Sequence, residues 1–389
     1  MQTLGVSGVK PPLAIIFANN KGNIGDFAIL HAMLRDLERK FPGHPLKVFP
    51  HSSLSTDEPR LRAFIAAGVP GFDMSGTAFS KAVPELTKLT YYTGLWPLLR
   101  GGIAARFDTL AEPAAAAFEG STAAFVAGGH QWGGFKGLSM FATLRAISRR
   151  GVPVHAYPFS VSGRTTSIIG AAPLTRDFAR LGKPIVLRDS VSKSRLDALG
   201  LETVLGAVCV YTLKAVADAV APMNTTNPGR IIVSITAAGN ALRHNLRALV
   251  MRLKLTKLPI TLMTTCEMED GPAMRDVAQE FGLEYLAPLT WQDAVAEMKS
   301  SGLVVSNRLH GLIMGSFCGV PLLPVADRGK VAAFVKDNAA AVHAPGINSI
   351  DAPLIFAALS RRAEIIASLA LYQAHTASLA TAPIVQRLE

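Results

Sequence analysis

The chain has 389 residues, of which 49% are hydrophobic and 17% charged, and its formal net charge is +11. This length exceeds one ordinary hydrophobic core and predicts two domains, while the apolar content excludes a disordered chain. We expect neither a membrane span nor a secretory signal, because apolar runs are short and the N-terminus lacks a small-residue cleavage site. The separated Cys209, Cys266 and Cys318 lack metal-ligand spacing and predict reduced thiols in a cytoplasmic protein.

Strands and helices alternate through the first half of the sequence. Apolar periodicity predicts strands at 13–17, 46–49, 122–127, 152–157 and 185–187, and helices at 27–40, 140–150 and 192–199. Asp26 is placed to cap the first of these helices. The stretch 56–96 contains several Pro and Gly residues and predicts no regular element.

The second half repeats the same alternation. It predicts strands at 231–235, 260–263, 303–305 and 322–325, and helices at 243–253, 272–281, 291–298 and from 353 into the 370s. A polar stretch bounded by prolines, 222–229, predicts a linker. The fold class is therefore α/β, with two Rossmann-like domains facing across a cleft. We expect an N-terminal domain at 1–224, a C-terminal domain at 225–345 and a C-terminal helical segment at 346–389.

Positive charge is concentrated between residues 145 and 195. Ten cations in this interval face only Asp177 and Asp189: Arg145, Arg149, Arg150, Arg164, Arg176, Arg180, Lys183, Arg188, Lys193 and Arg195. Either they attract an acidic substrate or an anionic membrane surface, or they are solvated helix faces. A nucleic-acid partner is not expected, because aromatic residues are few and no nucleic-acid-binding module is present.

The most informative segment is 306–311, which reads Ser-Asn-Arg-Leu-His-Gly. It follows a predicted buried strand and opens a predicted buried helix, a position where α/β proteins bind ligands and helix N-termini attract anions. Arg308 requires an anion if it is buried, and the neighbouring sequence offers none. His310 is suited to proton transfer near neutral pH. The alternative is a core histidine that bonds to a backbone carbonyl.

Two glycine-bearing strand ends add polar groups in the first domain. In the loop 19–26, glycines allow a ligand to approach the backbone, and Asn23 and Asp26 offer hydrogen bonds to hydroxyl groups. The alternative is a turn with a capping Asp. In 128–134, four glycines surround Trp132, which either stacks on a sugar face or packs against the next helix.

Two further strand ends carry cations. Arg188 is placed for a bidentate contact with phosphate or carboxylate, unless it pairs with its neighbour Asp189. The segment 327–330, which ends in Lys330, supplies one more cation or is a solvated turn.

Together these segments resemble the polysaccharide pyruvyl transferase family, over roughly residues 20–335. The matching motifs occur in the family's order: Gly22-Asn23-Ile24-Gly25-Asp26, Gly128-Gly129, Arg188-Asp189-Ser190-Val191-Ser192, Arg308-Leu309-His310-Gly311 with Gly319-Val320-Pro321, and Lys330. The sequence departs from the family at three places. His130 replaces a third glycine, 160–164 lacks the usual Gly-Pro, and 206–209 lacks an Asp-Pro. These departures concern the specificity for the acceptor more than the binding of the donor.

The resemblance implies a GT-B-like fold, with a C-terminal helix that packs back on the first domain. It implies phosphoenolpyruvate as co-substrate and donor, a glycan as acceptor, and a pyruvate ketal as product, with no cofactor and no metal. The implied catalytic residues are His310 and Arg308, and the donor-binding residues are Arg188, Ser306, Arg308, Leu309, His310 and Lys330. The implied acceptor-binding residues are Asn23, Asp26, Gly128, Gly129, His130 and Trp132. The implied location is cytoplasmic, with peripheral contact at the inner membrane as a hypothesis that rests on the basic segment; the oligomeric state is left open.

Two other functions compete with this interpretation. A GT-B glycosyltransferase that uses a nucleotide sugar commonly places a Glu five residues before the Gly-x-Pro turn, where this chain has Met314. A non-catalytic carbohydrate- or anion-binding protein would have little need to retain Arg308, His310 and Lys330. The first observation favours the pyruvyl donor, and the second argues against a non-catalytic protein.

Overall fold

The computed structural model describes residues 10–18, 23–50, 108–109, 111–128, 131–132, 134–161, 178–223, 227–237, 239–325, 329–337 and 344–381. The strands are β1 (Leu13–Ala18), β2 (Leu46–Pro50), β3 (Ala123–Val126), β4 (Gln131–Trp132), β5 (Val154–Ala156), β6 (Ser160–Val161), β7 (Ile185–Leu187), β8 (Thr203–Leu205), β9 (Ile231–Ser234), β10 (Ile260–Met263), β11 (Glu284–Leu286), β12 (Leu303–Ser306) and β13 (Leu322–Pro324). The irregular stretch expected at 56–96 lies outside the described residues.

The helices follow the strands as the periodicity predicts. They are α1 (Ile24–Lys40), α2 (Gly134–Arg149), α3 (Ser190–Asp197), α4 (Lys214–Asp218), α5 (Asn240–Lys254), α6 (Glu267–Phe281), α7 (Trp291–Lys299), α8 (Leu309–Phe317), α9 (Gly329–Asp337), α10 (Ala352–Ser360) and α11 (Arg362–Thr381), with 3-10 turns at Cys209–Leu213 and Ile347–Ser349. The predicted terminal helix is thus two helices. In the described part of the chain, no helix combines the length and the apolar character that crossing a membrane requires.

The first compact unit is built on a four-stranded parallel sheet in the order β2-β1-β3-β5. The apolar run of β1 is buried along Leu13–Ile16, as expected for a strand of a parallel sheet that is covered on both faces. Two short parallel pairs, β4-β6 and β7-β8, extend the same unit. Its core packs Phe118, Phe141 and Phe178 between strands and helices.

The second compact unit contains a five-stranded parallel sheet in the order β11-β10-β9-β12-β13. This is the doubly wound arrangement, in which the strand order reverses between β9 and β12. These two strands pair in register from Leu303 opposite Ile231 to Ser306 opposite Ser234. Ligands of such sheets bind at the carboxyl ends of the strands beside that reversal, which is where the segment 306–311 lies.

The units divide the chain differently from the expected boundary at 224. The first contains 29–206 together with β1, and the second contains 207–381 together with the described residues 23–28. The segment after residue 206 joins the second unit because the buried Tyr211 ring meets the edges of Phe317 and Tyr372, at 5.8 and 5.7 Å between centroids. The predicted linker at 222–229 therefore lies inside the second unit. Helix α11 packs on Cys209–Leu213, residues that the expected boundary had placed in the first domain.

Replacing Tyr211 tests this assignment. The ring is 2% exposed, so Tyr211→Ala leaves a cavity between the 3-10 turn and helices α8 and α11. We expect the free energy of unfolding of the second unit to fall by about 3 kcal/mol, measured by urea unfolding. The control is Phe356→Ala, which removes an aromatic ring that is 47% exposed and should change stability little. Equal effects of the two variants would contradict the packing described.

The arginines at the start of the basic segment are paired. Arg145 meets Asp108 at 2.7 Å, Arg149 meets Glu112 at 2.6 Å and Arg150 meets Glu119 at 2.9 Å. The hydrogen bond from Arg149 holds the pKa of the Glu112 carboxyl below its ordinary value. The acids lie within residues 108–119 and therefore outside the basic interval 145–195. These three arginines therefore fit the interpretation as solvated helix faces, which removes part of the basis for a membrane contact.

Candidate active site

Ser306 and Asn307 join the carboxyl ends of β12 and β9. The buried Ser306 hydroxyl donates to the carbonyl oxygen of Ser234 at 2.7 Å and accepts from the Arg308 N–H at 3.0 Å. The Asn307 side-chain oxygen accepts from the Thr236 N–H at 2.7 Å. Ser306 was predicted to bind the donor. Its hydrogen bonds fix the turn that leads into α8, and its contact with the donor stays a prediction.

Arg308 is the N-cap of α8, and its guanidinium forms an ion pair with two acids of the first turn of α6. Nη2 contacts the buried Asp270 and lies 3.2 Å from the more exposed Glu269. Burial lowers the pKa of Arg308, but these carboxylates outweigh burial and raise it above its ordinary value. The anion that a buried arginine requires therefore comes from a distant part of the sequence.

His310 lies against the loop that contains Asn23. The Ile24 N–H donates to the carbonyl oxygen of Thr265 at 3.0 Å, and Asn23 forms an antiparallel bridge with Cys266. Gly25 then passes so close to the His310 ring that a Cβ atom built on Gly25 would overlap ring atoms Cγ and Nδ1. Two motifs from opposite ends of the sequence therefore meet in the second unit.

The turn at 23–26 is held by its own side chain. The Asn23 oxygen accepts from the Gly25 N–H, and the Asn23 carbonyl accepts from the Asp26 N–H, both at 3.0 Å. Asp26 was predicted to cap the helix. Because α1 begins at Ile24, Asp26 lies instead within its first turn, where a carboxylate is favoured by the helix dipole.

Cys266 is the thiol nearest to this site. It is buried as the N-cap of α6. Burial and the charge of Glu269 raise the pKa of the Cys266 thiol to about 11. The thiol is therefore protonated at neutral pH and is not a nucleophile. Among the residues that the structure describes, no group of His, Cys, Asp and Glu is arranged to hold a metal ion.

Arg188 lies in the first unit, at the carboxyl end of β7, and its side chain is buried. Its Nε donates to the Ser160 hydroxyl at 2.5 Å, and that hydroxyl donates to the Asp189 carboxylate at 2.6 Å. Asp189 also caps α3 by accepting from the Ser192 N–H at 2.7 Å. Asp189 is therefore the N-cap of α3, and Ser160 links it to Arg188.

The other predicted residues are described in part. The Gly128 N–H lies 3.4 Å from Met33 Sδ, and a Cβ on Gly128 would lie 3.2 Å from that of Tyr157. Leu309 is the first residue of α8. Trp132 is in β4 and Lys330 is in the first turn of α9, but their side chains, like all of Gly129 and His130, lie outside the described residues. The roles assigned to these residues remain predictions.

Asp270 and Glu269 were not among the residues predicted from the sequence. The sequence pattern predicts a helix that begins at Pro272, because proline is common at the first position of a helix, whereas α6 begins at Glu267 and contains Pro272 in its second turn. The available signal was the acidic cluster just after β10, since β10 neighbours β9 and so ends close to the strand reversal.

Comparison with solved structures shows what class of fold this is. A Staphylococcus aureus MnaA–UDP structure aligns with a TM-score of 0.55 at 14% identity, covering 96% of this chain and 93% of that one. Neisseria meningitidis UDP-GlcNAc 2-epimerase bound to UDP-GlcNAc gives 0.56 at 13% identity, covering 97% of each chain. Anabaena Alr3699/HepE in complex with UDP-glucose gives 0.55 at 10%, again covering 97% of each. At these identities the likeness concerns the fold alone, which is α/β of the GT-B type.

The family follows from the sequence. The family model for polysaccharide pyruvyl transferase matches residues 23–328, which include the Asn23–Asp26 turn and the Arg308–His310 segment. The chain belongs to the polysaccharide pyruvyl transferase family. No curated protein sequence matches it.

Proposed function

We propose that the protein transfers the pyruvyl unit of phosphoenolpyruvate to two hydroxyl groups of a sugar in a polysaccharide or lipid-linked glycan. The product is a cyclic pyruvate ketal, and inorganic phosphate leaves. Membership of the polysaccharide pyruvyl transferase family supports the class of reaction. The observation that carries the proposal further is the contact between Gly25 and His310, which puts an imidazole beside a turn rich in hydroxyl-binding groups.

The proposed reaction moves one proton onto carbon and two protons off oxygen. Protonation of the donor methylene makes a methyl group and leaves an oxocarbenium-like carbon. The first sugar hydroxyl attacks that carbon and loses its proton, and the C–O bond to phosphate breaks. The second hydroxyl then attacks, loses its proton and closes the ketal ring. Of the two released protons one balances the proton consumed, and the other leaves with phosphate.

His310 is the proposed group that transfers these protons, because an imidazole both accepts and donates near neutral pH. Arg308 supplies positive charge at the N-terminus of α8, where the helix dipole also favours an anion such as the donor. Asn23 and Asp26, in the turn that abuts His310, are the proposed contacts to acceptor hydroxyls. Arg188 and Lys330 are further proposed cations for the donor, and Gly128, Gly129, His130 and Trp132 further acceptor contacts.

Ligand-dependent thermal unfolding tests the choice of donor without knowledge of the acceptor. A ligand present at 100 times its dissociation constant stabilises the folded state by about 2.7 kcal/mol. We expect phosphoenolpyruvate to raise the unfolding temperature and UDP to leave it unchanged. Stabilisation by UDP alone would favour a nucleotide-sugar transferase. Met314, at the position where such enzymes commonly carry a ribose-binding Glu, is apolar and fully buried here.

The complete reaction is tested by phosphate release. Phosphoenolpyruvate is incubated with glycans that carry neighbouring hydroxyl pairs, in D₂O, and products are analysed by mass spectrometry. We expect one phosphate for each ketal formed and one deuterium in the new methyl group. Phosphate release without a ketal would indicate a phosphatase, and binding without release would indicate a non-catalytic protein.

A further inference from the structure

Asp270 has no role in the proposed reaction, although it is the residue most tightly engaged with Arg308. It is 1% exposed, so it is shielded from solvent. One carboxylate oxygen, Oδ1, accepts from the Ala237 N–H at 3.0 Å, and the other, Oδ2, pairs with Nη2 of Arg308. Its place in the first turn of α6 adds the favourable field of a helix N-terminus. The Ala237 N–H and the N-terminus of α6 therefore stabilise the carboxylate in addition to the guanidinium.

The Arg308 side chain is engaged on one side only. Both acidic contacts, with Asp270 and Glu269, involve Nη2. The buried Nε has no hydrogen-bond partner among the described residues, and no bond from Nη1 to another described residue is found. The Arg308 side chain is 15% exposed, whereas the side chain of Asp270 is 1% exposed. The remaining N–H groups are those available to a ligand.

We propose that Asp270 is the positioning residue for Arg308: by binding Nη2, it fixes the plane of the guanidinium and aims the other N–H groups at the anionic donor. This inference deepens the proposed function and rests on it. A guanidinium binds phosphate or carboxylate in a fixed planar geometry, so its orientation decides whether two bonds or one are made. Glu269 is half exposed and lies 3.2 Å away, so it adds charge without fixing the plane.

Asp270→Asn tests the positioning role of Asp270, because it removes the carboxylate with a minimal change in the shape of the side chain. Asp270 accepts from Ala237 and from Arg308 on two different oxygens, and Asn replaces one of these oxygens with an NH₂ group that can only donate, so one of the two contacts is lost. The guanidinium then loses its anchor, while a negative charge near the donor is also removed. We expect kcat to fall by about 10- to 100-fold, as for other misplacements of about 1 Å. The KM for phosphoenolpyruvate should change less than about threefold. Removal of the negative charge of Asp270 favours binding of the anionic donor, and this offsets the poorer orientation of Arg308.

The matched control is Glu267→Gln. Glu267 lies in the same turn of α6 and loses the same charge, but it pairs with Arg275 and Tyr285 instead of Arg308. Its kinetics should match those of the wild type. If Asp270→Asn does not fold, Asp270→Glu is the second variant. Glu retains the charge but shifts the guanidinium by one methylene, and we expect the same loss of kcat.

A double-mutant cycle with Arg308→Gln distinguishes positioning from a purely structural role. If Asp270 acts through Arg308, then Asp270→Asn has no further effect on kcat/KM in the Arg308→Gln background. If Asp270→Asn still lowers kcat/KM in the Arg308→Gln background, the proposal is overturned. Asp270 would then act through Ala237 or through the packing of α6 and not through Arg308. Equal losses in Asp270→Asn and Glu267→Gln would also overturn it, as would wild-type kcat in Asp270→Asn.

Binding of inorganic phosphate provides a readout that does not depend on the reaction. The thermal shift produced by phosphate is measured for the wild type, Asp270→Asn, Arg308→Gln and the double variant. We expect the shift to be lost in Arg308→Gln and to be insensitive to residue 270 in that background. If the wild type releases no phosphate from phosphoenolpyruvate, the proposed function fails, and this cycle still decides whether Asp270 acts through Arg308. Additive effects would reject the positioning role.

Discussion

Replacement of His310 by alanine is expected to lower kcat by about 10²- to 10⁴-fold, the usual contribution of a residue that transfers a proton. The fold should be retained, because the residue is only partly buried in the first turn of α8 and alanine favours the helix. Binding of phosphoenolpyruvate should persist, since Arg308 and the N-terminus of α8 remain. The measurements are steady-state phosphate release and the thermal shift with phosphoenolpyruvate.

The control for this variant is His244→Ala. His244 is an exposed histidine of α5 in the same unit, so the substitution removes an imidazole without touching the site. Its kinetics should equal those of the wild type. Near-normal turnover in His310→Ala would remove this residue from proton transfer. Loss of donor binding together with turnover would instead assign it to binding.

The substitution Gly25→Ala is expected to lower turnover by about 100-fold, although it adds only a methyl group. A Cβ atom at this position would overlap the ring and the Cβ of His310, so either the ring or the turn at 23–26 must move. A displacement of about 1 Å at a reacting group is sufficient for a loss of this size. Steady-state kinetics with saturating phosphoenolpyruvate measure the effect.

Gly346→Ala provides the comparison. Gly346 has a φ of −63°, which any residue adopts, and a Cβ there would meet no atom within 4 Å. The same substitution should therefore leave both activity and stability close to the wild type. If Gly25→Ala retains full turnover, the close approach of the turn to His310 is not required for catalysis.

The elements that carry the site could be predicted because their signals are local. The apolar run before Ser306 predicts a buried strand, and the structure places β12 at Leu303–Ser306. The buried helix that follows corresponds to α8. The polar segment between the two lies at the end of β12, beside the reversal of the strand order, where such sheets commonly bind ligands. Local pattern was sufficient for the strand and the helix.

The partners of the site residues could not be predicted, because they depend on which strands are neighbours. Asp270 reaches Arg308 only because β10, β9 and β12 are adjacent in the sheet. The contact of Gly25 with His310 depends on a single antiparallel bridge between Asn23 and Cys266, which leaves no periodic signal. The division of the compact units after residue 206 depends on packing in the same way, since the Tyr211 ring contacts Phe317 of the second unit.

The bridge between Asn23 and Cys266 also has a consequence for biosynthesis. Most of the chain lies between its two ends, so the turn beside His310 emerges from the ribosome long before the residues that receive it. Domains fold largely as they are made, starting from the N-terminus. The Asn23–Gly25 turn therefore lacks its partner Cys266 until the intervening strands have been translated. A nascent chain halted before Cys266 would lack the residue that bridges to Asn23 in the second unit.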